Sequence, residues 1–253
     1  MMKKKTIGSL AVLLLFLMLY SGMKLMIYYK EAKEVQSYQE ELQFTAGVIK
    51  EKDTDVKEIE VDFLKLQSLN SEVIAWLTVE DTVINYPVVQ GSDNDFYLDK
   101  NLNKEYSKYG TLFLDSKSDF DTPDDSLIIY GHHMKDGQMF GALIPFQETE
   151  YVEKHSQISL LTPNGPRIYE IFSVFKTSVY NSNPNEFNYY DTVKFDSENV
   201  FSAFIESMEK NALFMSETQP VFGDEILLLS TCEYSLQNGR LVVAGRRIDH
   251  GRD

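Results

Sequence analysis

The chain of 253 residues holds a single cysteine, Cys232. One thiol excludes an intramolecular disulfide, and it excludes a cysteine-based zinc cluster. Basic residues are also scarce: 24 Lys and Arg stand against 39 Asp and Glu, for a net charge of −15. Five lysines (3, 4, 5, 24 and 30) lie in the first 30 residues, where there is no acid, which leaves −20 on residues 31–253. The phosphate backbone of nucleic acid demands Lys and Arg, so no nucleic-acid partner is expected. The acids are scattered over loops without EF-hand spacing, so no metal and no other cofactor is expected. There is no repeat and no low-complexity tract. Apolar residues, by contrast, make up 43% of the chain, with 15 Tyr and 16 Phe, enough for a core and suited to β structure.

Lys3, Lys4 and Lys5 precede an apolar segment. Its span, residues 6–29, reads as a retained transmembrane signal-anchor behind a cytoplasmic basic tail of residues 1–5. The small-residue cleavage pattern of a secretory signal is weak here, because Ser21-Gly22 is followed by Met23-Lys24 and further apolar residues. Lys24 near the end of the segment snorkels to the headgroups. Residues 30–60 are charged and read as a helix leaving the membrane, then a linker over 50–58. The folded domain is expected over 61–253, outside a single-pass cell membrane.

Within that domain, Phe63 to Leu77 recurs at mostly helical intervals, which predicts one or two short helices with Asn70-Ser71 capping the second. Thr82 to Gln90 reads as a strand that Pro87 confines to an edge or a bulge. Gly91–Asp95 and 116–125 are polar loops, and 110–115 is a short strand between them. Ser126 to Tyr130 reads as a buried strand, and helical pieces follow over 138–144 and 148–155. Residues 158–161 and 167–175 form a hairpin across Pro163-Asn164-Gly165. An irregular loop spans 181–190. Residues 197–213 predict an amphipathic helix with Val200, Phe201, Phe204, Ile205 and Met208 on one face. Seven or eight strands with few helices point to a mainly β domain, a closed or nearly closed barrel with peripheral helices.

The chain ends on two apolar runs, Ile226–Leu229 and Leu241–Ala244, joined by a loop with Gln237, Asn238 and Gly239 as turn residues. Such a hairpin brings Cys232 and Arg240 to the same end of a sheet. That pairs a nucleophile with a fixed cation for a developing oxyanion. A lone cysteine is often a small buried hydrophobe. Cys232 instead follows Ser230 and Thr231 and precedes Glu233, at a polar strand end. A thiol nucleophile also needs a proton carrier, usually histidine. The chain has four. His155 lies in a charged helical stretch and His250 in a polar tail. His132 and His133 both follow the strand end at Tyr130-Gly131, where glycine permits close approach.

These motifs resemble class B sortases, the cysteine transpeptidases of Gram-positive cell surfaces. Tyr130-Gly131-His132-His133-Met134 with Met139-Phe140 looks like their histidine motif, and Ser230-Thr231-Cys232 like their nucleophile motif, with Arg240 eight positions on. Asn85-Tyr86-Pro87-Val88 resembles a segment lining their substrate groove. The resemblance covers about residues 60–248. It implies a closed eight-stranded β-barrel with N-terminal helices and a long helix before the cysteine strand; residues 61–77 and 197–213 fit those places. It selects His132 over His133 and implies that Cys232, His132 and Arg240 are catalytic. Asn85, Tyr86, Ser230, Thr231 and Glu233 are candidate substrate contacts. Arg240 and the Glu233 backbone N–H are candidate oxyanion donors, with substrate positioning the other role open to Arg240. The implied partners are surface proteins bearing a C-terminal sorting motif, Asn-Pro-x-Thr-like or related, and an amine of a peptidoglycan precursor or a pilin. A membrane-anchored cysteine protease that uses water, or a non-catalytic binding module on the same fold, are the alternatives.

Overall fold

The computed structural model describes residues 2–47, 60–120, 126–179, 187–191, 194–235 and 238–248. The linker expected over 50–58, most of the loop 181–190, the end of the loop 116–125, Gln237 and His250 lie outside the described residues. Two units are distinct, residues 1–44 and 45–253. The first is one helix, α1, Met2–Thr45. It is long and apolar enough to cross a membrane, and its apolar side chains from Val12 to Ile27 are exposed.

The second unit begins with α2, Phe63–Leu69, whose first turn is capped by the Asp62 carboxylate accepting from Lys65 N. Asn70 ends this helix, and the chain turns directly into strand β1, Val73–Val79. The second helix expected here is therefore a strand. β1 is buried on both faces, so its apolar residues lack the alternation that marks a half-exposed strand. Strands β2 (Asn85–Val89), β3 (Leu112–Leu114) and β4 (Ser126–Tyr130) follow. Then come a 3-10 segment over Phe140–Gln147, helix α3 (Thr149–Lys154) and the hairpin of β5 (Gln157–Thr162) and β6 (Gly165–Ser178). Helix α4 spans Glu198–Glu209 and the short strand β7 spans Ala212–Met215. β8 (Ile226–Glu233) and β9 (Gly239–Arg247) close the described fold.

The strands run in the order β5-β1-β2-β3-β4-β8-β9-β6, and β6 pairs back to β5. This is a closed eight-stranded barrel. The ninth strand, β7, is an addition made possible by the length of β6. Residues 165–170 of β6 pair with β5, and 173–175 on the same edge pair with β7. Pro87 fits without cost because β3 pairs only with Val88 and Val89, so the proline lies beyond the end of that neighbour.

Helix α4 covers one wall. Ser197 Oγ caps it by accepting from Val200 N, and Phe201, Phe204 and Met208 bury against Phe172, Phe175, Ile226, Leu228 and Val242. Burying each such side chain stabilises the fold by about 1.5–3 kcal/mol. Val200, expected on the same face, is exposed instead, and the helix stops four residues short of Leu213, which belongs to β7. β8 is buried on both faces, which is why Ile226–Leu229 reads as an unbroken apolar run.

Two pairings position the site. β4 and β8 are parallel, with Tyr130 opposite Ser230, so the residues two places further on, His132 and Cys232, emerge at the same pole. β8 and β9 are antiparallel, and Cys232 is directly opposite Arg240.

Candidate active site

Cys232 is a half-buried free thiol one residue before the end of β8. It opens into a groove of about 430 Å³ that Leu98, Tyr130, Gly131, His132, Tyr189, Ser230, Thr231 and Arg240 also line. The strand extends past the apolar run because Ser230 and Thr231 still pair with Val242 and Leu241.

His132 enters the groove with its ring anchored from behind. Its Nε2 lies 2.6 Å from the Leu98 carbonyl. A carbonyl oxygen only accepts, so Nε2 carries a proton, and the neutral ring keeps its lone pair on Nδ1. Leu98 closes a short 3-10 turn, Phe96–Leu98, that the Asp93 carboxylate holds by accepting from Asp95 N and Phe96 N. Gly110 packs against the same carbonyl. A Cβ there would come within 2.7 Å of Leu98 O, and its φ of +61° also favours glycine. His155, the other described histidine outside this loop, is buried, with Nδ1 3.0 Å from the Glu80 carbonyl.

The floor is a hydrogen-bonded set around Asp115, a carboxylate only 2% exposed. It accepts from the Tyr130 hydroxyl at 3.0 Å, from Asn94 Nδ2 at 2.9 Å and from Lys117 N at 2.8 Å. Burial, then the neighbouring Tyr189 hydroxyl and Asp115 carboxylate, push the Tyr130 hydroxyl far up, so it stays a donor. The Tyr189 hydroxyl shares a 2.6 Å bond with Ser230 Oγ, and burial pushes it up to about 12 against the lowering by Ser230 and Arg240.

The structure brings Cys232, His132, Arg240, Ser230 and Thr231 together. It gives Asn85, Tyr86 and Glu233 other work. Asn85 Oδ1 accepts from the Trp76 indole at 2.6 Å across the β1–β2 pair. Tyr86 is buried, and its hydroxyl accepts from Met139 N at 3.2 Å, behind the histidine loop. Neither lines the groove. The Glu233 carboxylate pairs with Lys176 of β6 at 3.3 Å and accepts from Ser235. Burial alone would raise it, but the Ser235 and Lys176 donors outweigh that and hold it below its ordinary value. Glu233 itself pairs with Gly239 in the β8–β9 ladder. Of the two oxyanion donors considered from sequence, Arg240 is the one that lines the groove. Sequence reasoning missed Leu98, Asn94, Asp115, Tyr130 and Tyr189 as site residues. Tyr130 carried a signal, since it ends the strand that delivers the histidine.

The family model for the sortase domain matches residues 77–248. The chain belongs to the sortase family. Sortase B of Listeria monocytogenes is 31% identical over 246 residues, covering 95% of this chain and 96% of its own. The structure of Bacillus anthracis sortase B superposes with a TM-score of 0.72 at 32% identity, covering 87% of this chain and 99% of that one. A substrate complex of Staphylococcus aureus sortase B gives 0.74 at 26% identity, covering 88% and 100%. These relatives put this sortase in class B, and with the family comes the enzyme class, a cysteine transpeptidase acting on surface proteins that carry sorting motifs. The sortase barrel accounts for the layout of the groove. Its parallel β4–β8 pair delivers the histidine and the thiol, and its antiparallel β8–β9 pair delivers the guanidinium.

Proposed function

We propose that this sortase cleaves a C-terminal sorting motif, Asn-Pro-x-Thr-like or related, after its threonine, and passes the acyl group to an amine of a peptidoglycan precursor or a pilin. Cys232 attacks the threonine carbonyl as its thiol proton passes to His132 Nδ1, and Arg240 meets the oxyanion that develops. The His132 imidazolium gives its Nδ1 proton to the departing amine, and the carbon–nitrogen bond breaks to leave a thioester on Cys232. The acceptor amine then attacks that thioester. His132 Nδ1 takes the amine proton, and the Cys232 sulfur departs as the new amide forms. The domain sits outside the cell on α1, whose apolar stretch is the anchor and whose basic start lies in the cytoplasm.

The observation that carries this reading is the shared groove: a thiol, an imidazole with Nε2 committed to Leu98, and a guanidinium line one cavity. Its test uses the full-length chain in detergent micelles, with peptides containing Asn-Pro-x-Thr, Ser-Pro-x-Thr and Leu-Pro-x-Thr and with triglycine as acceptor. Mass spectrometry is expected to find an acyl adduct on Cys232 that passes to triglycine, and none in Cys232→Ala. Hydrolysis that triglycine leaves unaltered would favour the water-using protease instead.

Arg240 gives a second prediction. Its Nη1 donates to the neighbouring Gly239 carbonyl at 3.0 Å and its side chain lines the groove instead of packing in the core. Arg240→Ala is expected to lower kcat by about 10²–10³, with an unchanged thermal midpoint. Unfolding of that variant would make Arg240 a structural residue.

A further inference from the structure

The backbone pairing of β4 and β8 ends at Tyr130 and Ser230, yet both reacting groups of the proposed mechanism lie beyond it. Three bonds continue the seam. Gly131 N donates to Ser230 O at 3.2 Å. Thr231 Oγ1 donates to Gly131 O at 2.8 Å. His133 Nδ1 stands 3.0 Å from Cys232 O. That last acceptor is a carbonyl, so His133 Nδ1 carries a proton and donates. The bond therefore joins the main chain of the nucleophile to the side chain of the residue next to His132.

We propose that His133 is a positioning residue for transpeptidation. Its Nδ1–H clamps the carbonyl of Cys232 to the loop that carries His132, and so sets the thiol against the imidazole. The inference rests on the reading of Cys232 and His132 as the reacting pair. Strand ends held by few bonds open easily. Here the side chains of Thr231 and His133 take over where the ladder stops. His133 is itself held from two directions. Its ring lies on Tyr234, with centroids 5.0 Å apart and planes inclined by 32°. Its backbone is bridged to Met139, whose N–H is held by the buried Tyr86 hydroxyl. The clamp is thus tied to the barrel through Tyr86 of β2. That gives the Asn85-Tyr86 segment a connection to the chemistry without any contact with the groove.

The geometry makes a sharp demand on replacements. An asparagine amide nitrogen occupies nearly the place of imidazole Nδ1, so His133→Asn keeps the donor. His133→Phe keeps a ring to lie on Tyr234 but has no donor. His133→Ala loses both.

The experiment measures kcat and KM for triglycine-dependent transpeptidation by the full-length chain, with the panel peptide that acylates Cys232 fastest. Thermal midpoints are recorded in parallel. His133→Ala and His133→Phe are expected to lose roughly 10- to 100-fold in kcat, the cost of a misplaced reacting group, with KM and the midpoint little altered. His133→Asn is expected to recover most of that loss. Original kcat in His133→Phe overturns the proposal, whether or not His133→Ala folds. So does a folded His133→Asn as impaired as the phenylalanine variant, because the donor would then be irrelevant. A loss confined to KM overturns it too. Cys232→Ala and His132→Ala separate the two levels of argument. If both are inactive while His133→Phe turns over normally, only the clamp fails. If either keeps full turnover, or the original chain acylates with no panel peptide, the reading of the groove fails and takes the clamp with it.

Discussion

Alanine at position 132 is expected to lower turnover by about 10²–10⁴, the usual worth of a positioned general acid–base. Glutamine is the more informative replacement. Nε2 is bound to the Leu98 carbonyl at 2.6 Å, and in the proposed mechanism Nδ1 is the nitrogen that exchanges protons in the groove. A glutamine side chain reaches about as far as Nε2 and offers an N–H donor, but no basic atom at the Nδ1 position. His132→Gln therefore keeps the tie to Leu98 and loses the proton carrier. It is expected to be as slow as the alanine variant, with KM near the original value and the fold intact by circular dichroism. If glutamine restores turnover, the ring serves to hold the 96–98 turn and the proton travels by another group. Steady-state transpeptidation of the peptide panel decides between these outcomes.

The uneven legibility of this site has physical causes. Cys232 and Arg240 were readable as neighbours because two strands and a short loop are a local unit, and the register confirms them as direct partners. His132 is a hundred residues from Cys232 in the chain. Only the parallel β4–β8 pairing brings it close, and no local pattern specifies a parallel partner. Resemblance to a family supplied that link. The barrel was legible as a class, but β1 passed for helix because burial on both faces erased its alternation. The end of α4 passed for helix to Leu213 because the apolar residues of β7 prolong its pattern. The Leu98 carbonyl left no trace at all: main-chain acceptors carry no residue type. Asp115 and Asn94 lay in or beside stretches that read as polar loops, where acids and amides are ordinary. Asn85 and Tyr86 are the opposite case. The family resemblance made them candidate substrate contacts, and in the fold their polar groups meet Trp76 and Met139. The same atoms suit either use, and only the facing partner distinguishes them.

The largest expected effect on stability lies at the other end of β8. Glu225 precedes the first residue of that strand, roughly 23 Å from Cys232 at about 3.3 Å per residue, and is 3% exposed. Its carboxylate is met by Arg167 Nη1 at 3.1 Å, by Arg247 Nη1 at 3.4 Å and by the Tyr169 hydroxyl. Burial and the Glu225 charge push that hydroxyl well above its ordinary range, so it remains a donor. Arg167 also donates to the Phe120 carbonyl at 2.9 Å and lies over the Phe120 ring. One carboxylate thus joins β6, β8 and β9. Glu225→Ala leaves two largely buried guanidiniums without their anion, which typically costs about 3–5 kcal/mol. For a domain of this size that lowers the melting midpoint by roughly 6–20 °C, measurable by calorimetry. Turnover per folded molecule should not change, because no bond of the groove passes through this cluster. The cost comes from stranded charge more than from a lost attraction. Replacing Glu225, Arg167 and Arg247 together by leucine or methionine should therefore destabilise less than Glu225→Ala alone. If the triple variant is the less stable of the two, the cluster contributes net attraction that the desolvation of its charges does not cancel.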